Sequence, residues 1–237
     1  MRRNMNFEGF QADREVSYSC NPHLVDTLER MVDLALKGEL TTEWLSPRFP
    51  TMKKDRNNFI MRDYYVYRCA WAIFTKDWID AMENFMREHG VNKIVEVCCG
   101  SGMLGPIFRE RGFDWISSDE QAPEEEHVLQ EEALLSVKKH KPDMVFASWI
   151  PYRSTLDYDL ACLISEMKIP MILVGEGHGG CTGSSQLWSG IKGAEGPDWS
   201  IEQTPVPTPY HIEHYPLEED VAQWNGLHDM TTLILPQ

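Results

Sequence analysis

Apolar residues recur at helical spacing over the first ninety positions, and in short runs separated by turn residues after that. Leu24, Val25, Leu28, Met31, Val32, Ala35 and Leu36 form one stripe, opened by Asn21-Pro22 and stopped by Gly38, which predicts an amphipathic helix. Residues 41–58 hold Pro47, Pro50 and the polar run Lys53-Lys54-Asp55-Arg56-Asn57-Asn58, and read as a loop. From Phe59 to His89 the residues Ile60, Tyr64, Tyr67, Trp71, Phe74, Ile79, Met82, Phe85 and Met86 predict one long helix or two joined helices, ended by Gly90. The aromatic stripe serves as core, or lends Tyr64, Tyr67 or Arg68 to the wall of a pocket.

Strand and helix then alternate, the rhythm of a parallel sheet covered on both faces. Strands are expected at 93–98, 114–118, 143–148 and 170–174, with helices over 103–111 and 158–167. His127-Val128-Leu129-Gln130 is the candidate for the third strand, and 210–215 and 230–235 are two late strands with no long helix between them. The expected fold class is α/β: a mostly parallel sheet with helices on both faces and an antiparallel C-terminal edge pair, preceded by an α-helical N-terminal cap. The change of rhythm divides the chain into 1–90, the helical cap, and 91–237, the sheet domain. The cap is expected over the carboxyl end of the sheet, with the Lys53–Arg62 segment as a substrate-side lid.

The densest chemical signal is the run Glu96-Val97-Cys98-Cys99-Gly100-Ser101-Gly102-Met103-Leu104-Gly105 between the first strand and its helix. Glycine lets the backbone turn tightly and admits a ligand where a side chain would block it, and the helix amides beyond face an anionic or polar group. Asp119 follows 17 residues after Gly102, where a carboxylate can accept from both hydroxyls of a ribose, and Glu120 could serve instead. The pair points to an adenosine-containing cofactor.

With those residues, positions 91–237 resemble the class I S-adenosylmethionine-dependent methyltransferases, whose fold is Rossmann-like. The family's first motif places an acidic residue four before the first glycine, which matches Glu96, Gly100 and Gly102. The resemblance implies S-adenosyl-L-methionine as cofactor, held by the backbone of Cys98, Gly100 and Ser101, with Glu96 orienting its amino group and Asp119 its ribose. It also implies an acid after the third strand for the adenine amino group, here Glu132 or Glu131; both residues read equally as a charged helix start. Ser148-Trp149-Ile150-Pro151-Tyr152 resembles the family's active-site loop in part: Pro151 and Tyr152 agree, whereas Ile150 and Trp149 depart from it. Trp149 and Tyr152 can stack on a substrate, face a sulfonium charge, or simply close the sheet's upper edge. The glycine-rich run 175–183 brings Glu176 and His178 as acid/base candidates, or is a flexible surface loop.

Composition narrows the picture. A net charge of −15 disfavours duplex nucleic acid as a partner, and leaves a small molecule or a protein side chain as the acceptor. Residues 1–90 carry 13 basic against 14 acidic side chains, so nearly all the acidity lies beyond them. Six cysteines without a regular framework, with Cys98-Cys99 adjacent in an expected buried strand, fit a reducing cytoplasm. Neither a signal peptide nor a run of membrane-spanning length is apparent. His178, Cys181, His211 and His214 do not have metal-ligand spacing, so no metal is expected. Two other readings stand beside methyl transfer: an NAD(P)-dependent oxidoreductase, since Gly100, Gly102, Gly105 and Asp119 also match that fingerprint, and a methyltransferase-like binding protein without catalysis.

Overall fold

A computed structural model describes residues 22–45, 56–121, 126–190, 208–214 and 229–237. Among the described residues four helices precede the alternating part: α1 (Pro22–Leu36), α2 (Thr42–Leu45), α3 (Arg56–Arg68) and α4 (Lys76–Glu88). The alternating part follows as β1 (Lys93–Val97), α5 (Leu104–Glu110), β2 (Asp114–Asp119), β3 (Val128–Gln130), α6 (Ala133–His140), β4 (Met144–Ser148), α7 (Leu156–Met167) and β5 (Met171–Glu176). A short 3-10 turn (Leu187–Gly190), β6 (Tyr210–His214) and β7 (Asp229–Pro236) end the order.

The seven strands form one sheet in the order β3-β2-β1-β4-β5-β7-β6. β1 to β5 run parallel, whereas β7 pairs antiparallel with both β5 and β6. This is the Rossmann-like architecture, with the antiparallel edge pair that the late strands predict. Each central strand is apolar on both faces, as a sheet covered twice requires. Ile94, Phe146, Ile172 and Leu233 point to one side, and Val95, Val145, Met171 and Ile234 to the other.

The helices of residues 22–88 cover the first of these faces. Met31, Tyr65, Trp78, Ile79 and Met82 share a core with the strand residues and with Leu104 and Phe108 of α5. α6, α7 and the 3-10 turn cover the opposite face through Val137, Leu160, Ile164 and Leu187. The core therefore runs across residue 90, where the sequence rhythm changes.

Of the two forms expected for 59–89 the chain takes two helices, because it breaks at Cys69–Thr75 and Thr75 restarts it as an N-cap, its Oγ1 accepting from Trp78 N at 3.3 Å. Other local expectations are corrected. The loop expected over 41–58 contains α2 and the first turn of α3, and α6 arises where only a charged helix start is apparent. Cys98 and Cys99 lie beyond β1 rather than inside it, and Cys98 adopts a left-handed φ of 54°. Lys53, Lys54 and Asp55 of the Lys53–Arg62 segment lie outside the described residues, as does the Asn21 cap, whereas Arg56 to Arg62 belong to α3. No described helix is long and apolar enough to cross a membrane.

Candidate functional site

The carboxyl ends of β1, β4 and β5 lie side by side, and each feeds a loop that carries residues singled out in the sequence. In an open α/β sheet the crevice beyond these ends is where ligands bind.

The turn after β1 is built by glycine. Gly100 has φ 58° and is exposed, with open space where a Cβ would stand. Gly102, at φ 66°, differs: a Cβ there would meet Val128 Cγ2 at 2.5 Å, so it lets the turn press against β3. Gly105 lets α5 approach the sheet, since a Cβ would lie 2.6 Å from Ser117 Oγ. Asp119 ties this turn to β2 by accepting from Gly100 N at 3.0 Å and Gln121 N at 2.9 Å. Ser101 Oγ donates to Cys69 O, which joins the turn to the chain leaving α3, and His127 Nε2 lies 3.1 Å from Ser101 O.

Four of the predicted cofactor residues meet here. Burial first, then the nearby carboxylates of Asp119, Glu132 and Glu120, push the Cys98 thiol up to about 12. The carboxylates thus converge on the start of the turn, and the thiol stays protonated and unreactive toward electrophiles at neutral pH.

Glu96 is turned elsewhere. Only 4% exposed, it projects under α5, where Oε2 accepts from Trp115 Nε1 at 2.8 Å and Ser117 Oγ at 2.7 Å. Burial lifts its carboxyl to about 7 against the pull of those two donors. The structure gives Glu96 a bracing role between β1 and β2, directly beneath the turn. Glu132 is the N-cap of α6, accepting from Leu134 N at 3.1 Å and Leu135 N at 2.9 Å, and Glu131 pairs with Lys139 and His140. The side chain of Tyr67 is 48% exposed.

The β4 loop is strained and stitched. Ser148 ends the strand half-buried, and Trp149 follows at φ 51°, a conformation that costs a bulky residue energy and that collects at functional sites. Its N–H is fixed to Val174 O at 2.8 Å, and its indole stacks on Trp71 with centroids 5.1 Å apart. Arg62 of α3 lies over the other ring of this pair, 5.5 Å from the Trp71 centroid. Pro151 is exposed and Tyr152 is 54% exposed, with Arg153 across its ring.

The glycine-rich run after β5 is held by hydrogen bonds. Glu176 Oε2 accepts from Cys181 N at 2.5 Å, and Glu176 O accepts from Thr182 Oγ1 at 2.8 Å. Gly183 N donates to Ile150 O and Arg153 N to Gly183 O, which binds this loop to the β4 loop. Buried Asp157 completes the seam through Ser184 N and Ser184 Oγ. His178 lies edge-on to Trp188, with centroids 6.4 Å apart.

One residue that sequence reasoning passed over belongs to this cluster. Asp229, the first residue of β7, is 2% exposed and stands in register with Glu176 across the β5–β7 pair. No local pattern marks it, because only the antiparallel insertion of β7 beside β5 brings it to the crevice. Among the described residues no group of three or more His, Cys, Asp or Glu stands where it could hold a metal ion.

No protein-family model and no curated protein matches the chain. Among solved structures, a glutamate-to-glutamine mutant of MtNAS in complex with S-adenosylmethionine is 10% identical, with a TM-score of 0.37 over 90% of this chain and 77% of that one. A SAM dependent methyltransferase from Archaeoglobus fulgidus is 13% identical, with a TM-score of 0.33 over 66% of this chain and 94% of that one.

Proposed function

We propose that the chain is an S-adenosylmethionine-dependent methyltransferase that acts on a small molecule or a protein side chain. The observation that carries this reading is the carboxylate at the end of β2 brought onto the glycine turn, Asp119 Oδ2 to Gly100 N at 3.0 Å, beside Glu120 and Glu132. An adenosine needs such a carboxylate for its ribose hydroxyls and an open backbone beside it.

The residues present fit that cofactor. Asp119 and Glu120 would hold the ribose, the backbone at exposed Gly100 and half-buried Ser101 would take the methionine part, and the capped start of α6 at Glu132 would flank the adenine. Glu96 fixes the strand pair from which the turn projects. The cofactor supplies an activated methyl group on a sulfonium. The protein's task is then to orient the acceptor and exclude water. Trp149 and Tyr152 supply aromatic faces at the crevice, Pro151 shapes the same loop, and Glu176 and His178 supply acid/base groups on the loop bonded to it.

The oxidoreductase reading is disfavoured by topology. A dinucleotide-binding sheet uses two parallel halves in the order 3-2-1-4-5-6, whereas here the chain beyond β5 returns as the antiparallel β7–β6 pair. A binding protein without catalysis shares every feature of the cofactor site, and turnover of methyl-labelled cofactor separates it from an enzyme.

The reading is tested at Asp119. Asp119→Asn loses part of the charge-assisted bonding to ribose, which weakens cofactor binding by about 1–3 kcal/mol, or roughly fivefold to 150-fold. Calorimetric titration of S-adenosylhomocysteine into both proteins measures it. Equal affinity, with an unchanged circular dichroism spectrum, contradicts the assignment.

A further inference from the structure

We propose that His127 is a positioning residue for the cofactor: it holds the Ser101 carbonyl so that the Ser101 N–H is presented to the carboxylate of the methionine part. This rests on the methyltransferase reading and names a residue that fits that same site to an adenosine bearing an amino acid.

One amide of the glycine turn stays unengaged. Cys99 N donates to Ser118 O at 3.2 Å, Gly100 N to Asp119 Oδ2 at 3.0 Å and Gly102 N to Cys99 O at 3.0 Å. Ser101 N lies among these three and closes no hydrogen bond with the described residues. A backbone N–H held in place by its neighbours suits a carboxylate, which only accepts.

The turn's own bond does not fix the direction of that N–H. Because Cys99 O accepts from Gly102 N, residues 99–102 form a β-turn whose central peptide joins Gly100 to Ser101. Glycine at the first central position, with φ 58°, lets this peptide rotate at little steric cost. Its direction is therefore set by the groups on either side. Asp119 fixes the peptide before it through Gly100 N. His127 fixes the peptide after it, with Nε2 at 3.1 Å from Ser101 O. Since Ser101 O only accepts, Nε2 is the ring nitrogen that carries the hydrogen. Ser101 Oγ, donating to Cys69 O, holds the same residue from the α3 side.

Gly102 is what admits His127 to the turn. A Cβ at that position would meet His127 Nε2 at 3.3 Å and Cδ2 at 3.4 Å, so the ring edge that bonds Ser101 O also lies against the glycine. Loss of the His127 bond frees the Ser101 carbonyl and with it the central peptide. The cost then falls on the ligand group that this peptide meets, not on the ribose held by Asp119.

The test titrates S-adenosylhomocysteine, and methylthioadenosine that lacks the amino-acid carboxylate, into the full chain, His127→Phe and His127→Gln. Phenylalanine keeps a ring against Gly102 without the N–H, whereas glutamine places an amide N–H the same number of bonds from Cβ. The account expects His127→Phe to weaken S-adenosylhomocysteine roughly threefold to tenfold and to leave methylthioadenosine unchanged. His127→Gln should recover most of the loss. Unchanged S-adenosylhomocysteine affinity in His127→Phe, an equal loss of both ligands, or no recovery in His127→Gln overturns the proposal. Heteronuclear NMR of the unmodified chain keeps the proposal testable even if a variant fails to fold. It should find hydrogen on His127 Nε2, and a Ser101 amide resonance that S-adenosylhomocysteine moves and methylthioadenosine does not. A bare Nε2, or a Ser101 amide that responds alike to both ligands, overturns the proposal. An unmodified chain that binds neither ligand overturns the methyltransferase reading instead.

Discussion

Glu96 shows how one residue can be legible in type and misread in direction. Its position four before Gly100 marks it from sequence, but the side chain reaches Trp115 and Ser117 rather than open space. Strand parity is the physical reason: Ile94 and Glu96 share the face under α5, so the carboxyl goes into the core. Burial raises its carboxyl to about 7 from an ordinary 4.5. The native state therefore retains a proton that the unfolded chain releases, so stability present in acid is lost as pH rises through 7. Urea unfolding between about pH 5 and pH 8 should show wild type losing on the order of 1–3 kcal/mol, and Glu96→Gln losing less. Parallel curves for the two proteins would contradict that account. Asp229, raised to about 6, adds a second component of the same sign at lower pH, which remains in the Glu96→Gln protein.

At the level of elements, the strands with long apolar runs are readable because a doubly covered sheet writes its burial into consecutive residues. β1, β4, β5 and β7 all fall where Ile, Val, Leu and Met dictate, within a residue or two. β3 is harder to see because it is a three-residue edge strand in which Leu129 and Gln130 are exposed. α6 is short, and its start rests on a side-chain cap by Glu132, which resembles a binding carboxylate when only its charge and place are known. Asp229 is invisible for a different reason: a first residue of a strand acquires meaning only from the strand it pairs with. The glycine turn divides in a way that spacing alone does not show. Gly100→Ala should cost about 1–2 kcal/mol for its left-handed backbone and keep β3 in place. Gly102→Ala adds a clash with Val128 and should cost roughly 1–3 kcal/mol more, measured by thermal or urea unfolding. Equal losses at the two positions would contradict the packing described for the turn.

For the whole molecule, residues 22–88 supply one of the two layers that the sheet needs. Removing residues 1–90 would expose Ile94, Phe146, Ile172 and Leu233 together, so the fragment 91–237 should lack a cooperative thermal transition and bind hydrophobic dyes. A sharp transition in that fragment would show that the sheet is an independent unit. The two layers also bring Cys69 to Ser101 and Trp71 to Trp149, so the helical layer steadies the loops at the carboxyl end as well as the core. The central claim is that this end holds an adenosine attached to a methionine rather than a dinucleotide. Isothermal titration of the full chain with S-adenosylhomocysteine and with NAD, at the same pH and salt, tests it most directly. The account predicts saturable one-to-one binding of S-adenosylhomocysteine and none of NAD at the same concentrations; NAD binding as tight or tighter contradicts it.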